Sequence, residues 1–234
     1  MRRFTCLCVA LSCVILPILI LVTACYINFT SPAFFCRYNE NTAGPKFEET
    51  LSVSREDAYK AIDFMLDTVK GKNTADNMSV TINGVKEPFF NGRELRHLYD
   101  ISNIVGKGKL IALVAALISI PGIVLTIIKK EYLLLAKTYP MAQAAAFILI
   151  AVAAVIFACN PLMFITAFHR LLFGGSDNSW IFNPATDRII HFFPKGIYRN
   201  MIVFAVTCFV AETLAFSVLS LITVRSARKK NRKE

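Results

Sequence analysis

The chain has 234 residues, 55% of them hydrophobic, and a mean hydropathy of +0.52. Apolar content at that level, gathered in long uninterrupted blocks, excludes an ordinary soluble domain and marks an integral membrane protein. The net charge of +10 raises nucleic acid as a partner, but the excess bases stand in short segments beside the apolar blocks, which argues against it.

Between Arg3 and Arg37 no charged residue occurs, and stretches 110–128, 138–168 and 200–224 are similarly apolar, with Glu212 the single acid among them. A spanning helix needs about 20 such residues, so each block supplies one. The expected fold is mainly α: a four-helix transmembrane bundle with a small outward-facing α+β insert between spans 1 and 2. Arg2 and Arg3, then Lys129, Lys130 and Lys137, then Arg225, Arg228, Lys229, Lys230, Arg232 and Lys233 flank the blocks. The positive-inside rule assigns those three groups to the cytoplasm, so both termini are expected inside and 28–108 and 169–198 outside. The expected parts are a first transmembrane helix at 1–28 and an extracytoplasmic insert at 29–107. Spans 2 to 4 follow at 108–224 with the outward loop 169–198, then a basic tail at 225–234 that touches anionic lipid.

Six of the seven cysteines (Cys6, Cys8, Cys13, Cys25, Cys159 and Cys208) fall in apolar spans and only Cys36 lies outside, so no outward disulfide framework forms within one chain. Val22, Thr23 and Ala24 before Cys25 imitate a lipoprotein cleavage motif behind a basic start. Three further apolar blocks favour a retained first helix instead.

Within the insert, Ser54 reads as a helix N-cap with Asp57 three residues on, and Ala58, Ile62, Met65, Leu66 and Val69 recur at helical spacing until Gly71. Stretches 78–82 and 85–90 then flank Asn83 and Gly84, which predicts a hairpin with a type I′ turn. Phe89 and Phe90, like Phe34 and Phe35, either rest on lipid or pack on the helix, the commoner outcome.

Glu94, His97 and Asp100 share a face if 93–104 is helical. Asp100 or Glu94 can then accept a hydrogen bond from one imidazole nitrogen and leave the other as a base; the alternative is a solvated face of mixed charge. Stretch 168–194 gathers His169, Arg170, Trp180, Asp187, His191 and Pro194. Singly these read as snorkelling and aromatic-belt residues. Together with His97 they place all three histidines at one membrane boundary, and a side chain with a pKa of about 6.5 suits proton transfer near neutral pH. Glu212 in mid-span is either functional or a protonated structural carboxyl facing the bundle interior.

The run Arg93, Glu94, Leu95, Arg96, His97, Leu98, Tyr99, Asp100, with Phe168 and His169, Trp180 to Asn183, and Asp187, Ile189, Ile190 and Pro194, resembles the lipoprotein intramolecular transacylase (Lit) family. The resemblance covers most of the chain, including the four-span layout and the insert; Leu98 and Ile101 with Ser102 depart from the Met and Val-Lys common there. It implies a multi-pass acyltransferase of the cell membrane of certain Gram-positive bacteria. Its partners are membrane lipids and diacylglyceryl lipoproteins of the outer leaflet, and it needs no cofactor or metal. The implied reaction moves the sn-2 acyl chain from the glycerol oxygen to the α-amino group of the lipidated N-terminal cysteine, leaving a lyso-form lipoprotein. Under that chemistry His97, as general base, and His169 are the catalytic candidates. Asp100, Glu94 and Arg170 are candidates for support or an oxyanion site, and Trp180, Asp187 and Arg93 for substrate binding.

Two other classes compete. A zinc-dependent membrane hydrolase would use His97, His169 and His191 with Asp100, although no His-Glu-x-x-His pair is present. A small transporter or scaffold would centre on Glu212, although internal repeats and paired Gly/Pro-interrupted spans are lacking. A thiol oxidoreductase would want paired outward cysteines, and only Cys36 is available.

Overall fold

The computed structural model describes residues 2–72, 77–82, 85–173 and 180–231. In chain order the helices are α1 (Arg2–Phe29), α2 (Pro32–Asn41), α3 (Phe47–Leu51), α4 (Arg55–Val69), α5 (Gly92–Ile128), α6 (Tyr132–Cys159), α7 (Pro161–Phe173) and α8 (Lys195–Asn231). Strands β1 (Ser79–Ile82) and β2 (Val85–Pro88) precede α5, and a 3-10 turn, Ile189–Phe192, precedes α8. Two compact units result: Met1–Ala24 with Leu110–Ile165 and Phe204–Glu234, and Cys25–Lys109 with Thr166–Val203.

In the first unit, apolar side chains such as Leu113, Leu117, Val206 and Val218 point outward, an arrangement that hydrocarbon tolerates and water does not. Among the described residues, three helices are long and apolar enough to cross a membrane: Leu7–Phe29, Gly92–Ile128 and Lys195–Ser226. The block at 138–168, expected as one span, is divided. Helix α6 ends at Cys159, and Asn160 Oδ1 accepts the Met163 N–H at 2.9 Å at the start of α7. An Asn cap followed by a proline, which has no N–H to leave unpaired, is a strong helix start. The close approach of α1 to α5 depends on small residues. Ser12 Oγ shares its proton between the carbonyls of Cys8 at 2.9 Å and Ser119 at 3.1 Å. A Cβ at Gly122 would collide with Ser12 Oγ and stand 3.0 Å from the Cys8 carbonyl.

The second unit is built on an aromatic core. Helix α4 begins as expected, with Ser54 Oγ accepting the Asp57 N–H at 3.0 Å, and ends before Gly71, whose φ of 81° suits a residue without Cβ. Ala58, Ile62, Met65 and Leu66 are buried. The strands pair antiparallel from Ser79 opposite Pro88 to Ile82 opposite Val85; the turn at Asn83 and Gly84 lies outside the described residues. Phe90 stacks on Phe64 of α4 with centroids 5.7 Å apart, and Phe89 on Phe192 at 6.0 Å, so both pack inward. Helices α2 and α3 were not foreseen, though Pro32 stands at the first turn of the former as Pro161 does in α7; unlike Asn160, Ser31 makes no side-chain cap. They contribute Phe35 and Phe47 to the core, and Phe47 meets Phe192 edge-on at 5.3 Å. The 3-10 turn is thereby fixed by the fully buried Phe192.

Helix α5 runs without interruption through Gly106 and Gly108, so the 93–104 segment and the apolar stretch 110–128 are one helix rather than two elements.

Candidate active site

Helix α5 opens with a capping box. Asn91 Oδ1 accepts the N–H groups of Arg93 and Glu94, both at 3.0 Å, and Glu94 Oε2 accepts the Asn91 N–H at 2.6 Å. The other oxygen of Glu94 accepts the Ile189 N–H at 2.7 Å. Glu94, 1% exposed, thus joins the start of α5 to the 3-10 turn. Expected beside the imidazole, it has a capping and bridging role in these bonds.

One turn further along α5 stands His97, 7% exposed. Its ring lies 5.2 Å from that of Phe173 and 5.2 Å from that of Phe182. His169 reaches the same Phe173 from within α7, four residues earlier and nearly parallel to it at 5.7 Å. On the Trp180 indole His169 stacks at 4.2 Å. His97 of α5 and His169 of α7 thus flank one phenylalanine. Aromatic walls of this kind exclude water from an imidazole.

The segment after Trp180 is folded back by Asp187, 2% exposed. Its carboxylate accepts the Asn183 N–H at 2.6 Å and the Asn91 side-chain amide at 2.8 Å, and pairs with the Arg93 guanidinium. Burial pushes this carboxyl up, but the Asn183 and Asn91 hydrogen bonds and the Arg93 charge outweigh it and hold the group below the usual aspartate range. Arg93 in turn lies 5.8 Å over the Phe182 ring. Arg188 donates to the carbonyls of Pro88 and Phe89, both at 3.0 Å, and pairs with Glu87, tying the segment to β2.

Of the residues singled out in the sequence, His97, His169, Trp180, Arg93 and Asp187 therefore come together, with Glu94 bracing them. Asp100 is half-buried one turn beyond His97, and Arg170 is exposed on α7. His191 stands apart in its contacts: Nε2 donates to the Pro184 carbonyl at 2.9 Å. Among the described residues, no three His, Cys, Asp or Glu side chains converge as metal ligands, which leaves the zinc arrangement of His97, His169, His191 and Asp100 without geometric support. Phe173 and Asn91 were missed. The i, i+4 spacing of His169 and Phe173, and an Asn just before Gly92 with Glu94 three residues on, were the available signals.

Fold and site together define a helical membrane protein carrying one buried and one half-buried histidine that share an aromatic neighbour. Residues 8–198 match the family described as lipoprotein intramolecular transacylase Lit. The chain belongs to that family. The fold is shared with a solved structure of the membrane integral lipoprotein intramolecular transacylase Lit from Bacillus cereus, at 17% identity and a TM-score of 0.64, covering 100% of this chain and 99% of that one. A variant of the same protein with a histidine-to-arginine mutation matches at 15% identity and 0.64, over 98% of this chain and 95% of its own. One with a histidine-to-alanine mutation matches at 15% and 0.66, over 98% and 96%. Identities this low establish the fold alone. No curated protein matches the chain.

Proposed function

We propose that this protein is a multi-pass acyltransferase of a Gram-positive cell membrane that converts diacylglyceryl lipoproteins to the lyso form. The sn-2 acyl chain leaves the glycerol oxygen and joins the α-amino group of the N-terminal cysteine of the same molecule. One observation carries the reading beyond family membership: the buried His97 and the half-buried His169 rest against the same ring, Phe173.

The α-amino group has a reference pKa of about 7.7–8.0 and must be neutral to attack, and His97 is the base that removes its proton. A new C–N bond forms at the ester carbonyl, the C–O bond to glycerol breaks, and the proton passes to the departing glycerol oxygen. No water is consumed and no acyl-enzyme is needed. His169, stacked on the Trp180 face, and Arg170 are the candidates to stabilise the transient oxyanion, and a good donor there is worth about 10²–10³ in rate. Asp100 and Glu94 support the His97 helix. Holding both reactants in one molecule supplies effective molarities up to about 10⁵–10⁸ M.

The four-span topology belongs to the same proposal. Helix α6 has 28 residues, about 42 Å at 1.5 Å per residue, and serves as the third span, with both termini cytoplasmic and the histidines outside. The test is tandem mass spectrometry of the N-terminal lipopeptide of a reporter lipoprotein produced with the wild-type protein or with His97→Ala. The expected products are an N-acylated monoacylglyceryl peptide with the former and the unchanged diacyl form with the latter. Identical fragments from both would refute the assignment of His97.

A further inference from the structure

We propose that Asp187 is a positioning residue for the transacylation, holding the Trp180 to Phe182 segment in register with His97 and His169; this rests on the function proposed above. The carboxylate is too buried to meet a lipid substrate, with a side chain 1% exposed, and its oxygens are already engaged. What they engage is informative. Acceptance of the Asn183 N–H closes a tight turn in which the Asp187 N–H also donates to the Asn183 carbonyl at 2.8 Å and the Ala185 N–H to Asn183 Oδ1 at 3.0 Å. Phe182, whose ring meets His97, immediately precedes that turn.

The second engagement runs to the start of α5, the helix that carries His97. Asn91 is its N-cap, and Arg93 is four residues before His97 on the same face. Arg93 is held by Asp187 and lies over Phe182, whose ring in turn meets His97 edge-on, so guanidinium, phenyl and imidazole follow one another in contact. One buried carboxylate therefore ties together the turn that delivers Phe182 and the helix end that delivers His97. An aspartate serves because two oxygens with several acceptor positions must receive a backbone amide, a side-chain amide and a guanidinium at once. An asparagine at 187 would offer one acceptor oxygen and place an amide against Arg93.

The chain's single tryptophan, Trp180, lies at the head of this segment and stacks on His169, so its emission reports the arrangement independently of turnover. The experiment uses purified full-length protein in bicelles and a synthetic diacylglyceryl lipopeptide, with Asp187→Asn, Arg93→Gln, the double variant, and the conservative Arg93→Lys. Asp187→Asn is expected to lower kcat by about 10- to 100-fold, the scale of a misplaced catalytic group, with KM little changed. Trp180 emission should move to the red and become more open to acrylamide quenching. The double variant should lose no more than the worse single one, because the two side chains act as one unit.

Arg93→Lys keeps the charge but not the fork, and should fall between wild type and Arg93→Gln in both kcat and emission; it carries the test if Asp187→Asn fails to insert. Unchanged kcat in Asp187→Asn, additive losses in the double variant, or a lost kcat with unaltered Trp180 emission would each overturn the positioning role. A wild-type protein that leaves the lipopeptide untouched refutes the transacylase reading instead. The emission series then decides alone whether Asp187 orders the segment.

Discussion

Asp187 and Glu94 show how a residue's chemistry was legible while its assignment was not. Both stood out in the sequence as acids near histidines, and both are buried in the structure. Spacing reports which residues share a helix face, but not which backbone amides arrive from a segment some 95 positions away, as the Ile189 N–H does at Glu94. His97 and His169 were legible for the opposite reason: their positions at the ends of apolar blocks follow from the one-dimensional pattern. Replacing His97 by Ala should reduce kcat by about 10²–10⁴ without loss of expression or insertion, measured on a defined lipopeptide. Asp187 gives a pH dependence with a definite sign. Its folded pKa is depressed, so its contribution to stability is present above the unfolded value of about 3.9 and is lost as pH falls through the folded one. Thermal melts of the wild-type protein, followed by Trp180 emission, should therefore drop in midpoint below about pH 4, and Asp187→Asn should flatten that drop. Melts of equal steepness would show that the Asn183, Asn91 and Arg93 contacts contribute nothing to folding.

At the level of elements, periodic patterns carried α4 and the hairpin, and apolar length carried α1, α5 and α8. What length could not give was where a long apolar block breaks. Asn160 with Pro161 was visible but sat inside a block whose hydropathy argued for continuity. Helices α2 and α3 were lost because short elements owe their existence to tertiary packing, here the meeting of Phe35, Phe47 and Phe192. Truncating Phe192 to Ala should cost about 3–5 kcal/mol of stability in the second unit, measured by chemical denaturation, since no exposed surface is available to soften the cavity. In the first unit, Gly122→Val would drive two methyl groups toward Ser12 and the Cys8 carbonyl. It should lower the melting temperature well beyond Gly122→Ala, and Ser12→Ala should partly restore it by removing the hydroxyl that stands closest.

For the molecule as a whole, composition already gave a membrane protein, and the matched family and the shared fold agree with the resemblance carried by the histidine motifs. The proposed orientation rests on charge placement and is open to direct test. A cysteine introduced by Asp67→Cys should react with an impermeant maleimide in intact cells, and one introduced by Lys229→Cys only after the membrane is opened; the reverse pattern would invert the topology. Glu212 on α8, the mid-span acid on which the transporter reading centred, has a buried Oε1 with no hydrogen-bond partner among the described residues. Under the present account Glu212→Gln retains lipopeptide turnover within a few-fold while His97→Ala does not. The central claim, acyl transfer within a single lipoprotein molecule, is tested most directly by a crossover experiment. Two lipopeptides are mixed with the purified protein, one with a deuterated sn-2 chain and light peptide, the other with a light chain and isotope-labelled peptide. Tandem mass spectra should contain N-acylated products in which every deuterated chain sits on light peptide. Deuterated chains on labelled peptide would contradict the account, because they require the acyl group to leave one molecule before it reaches another.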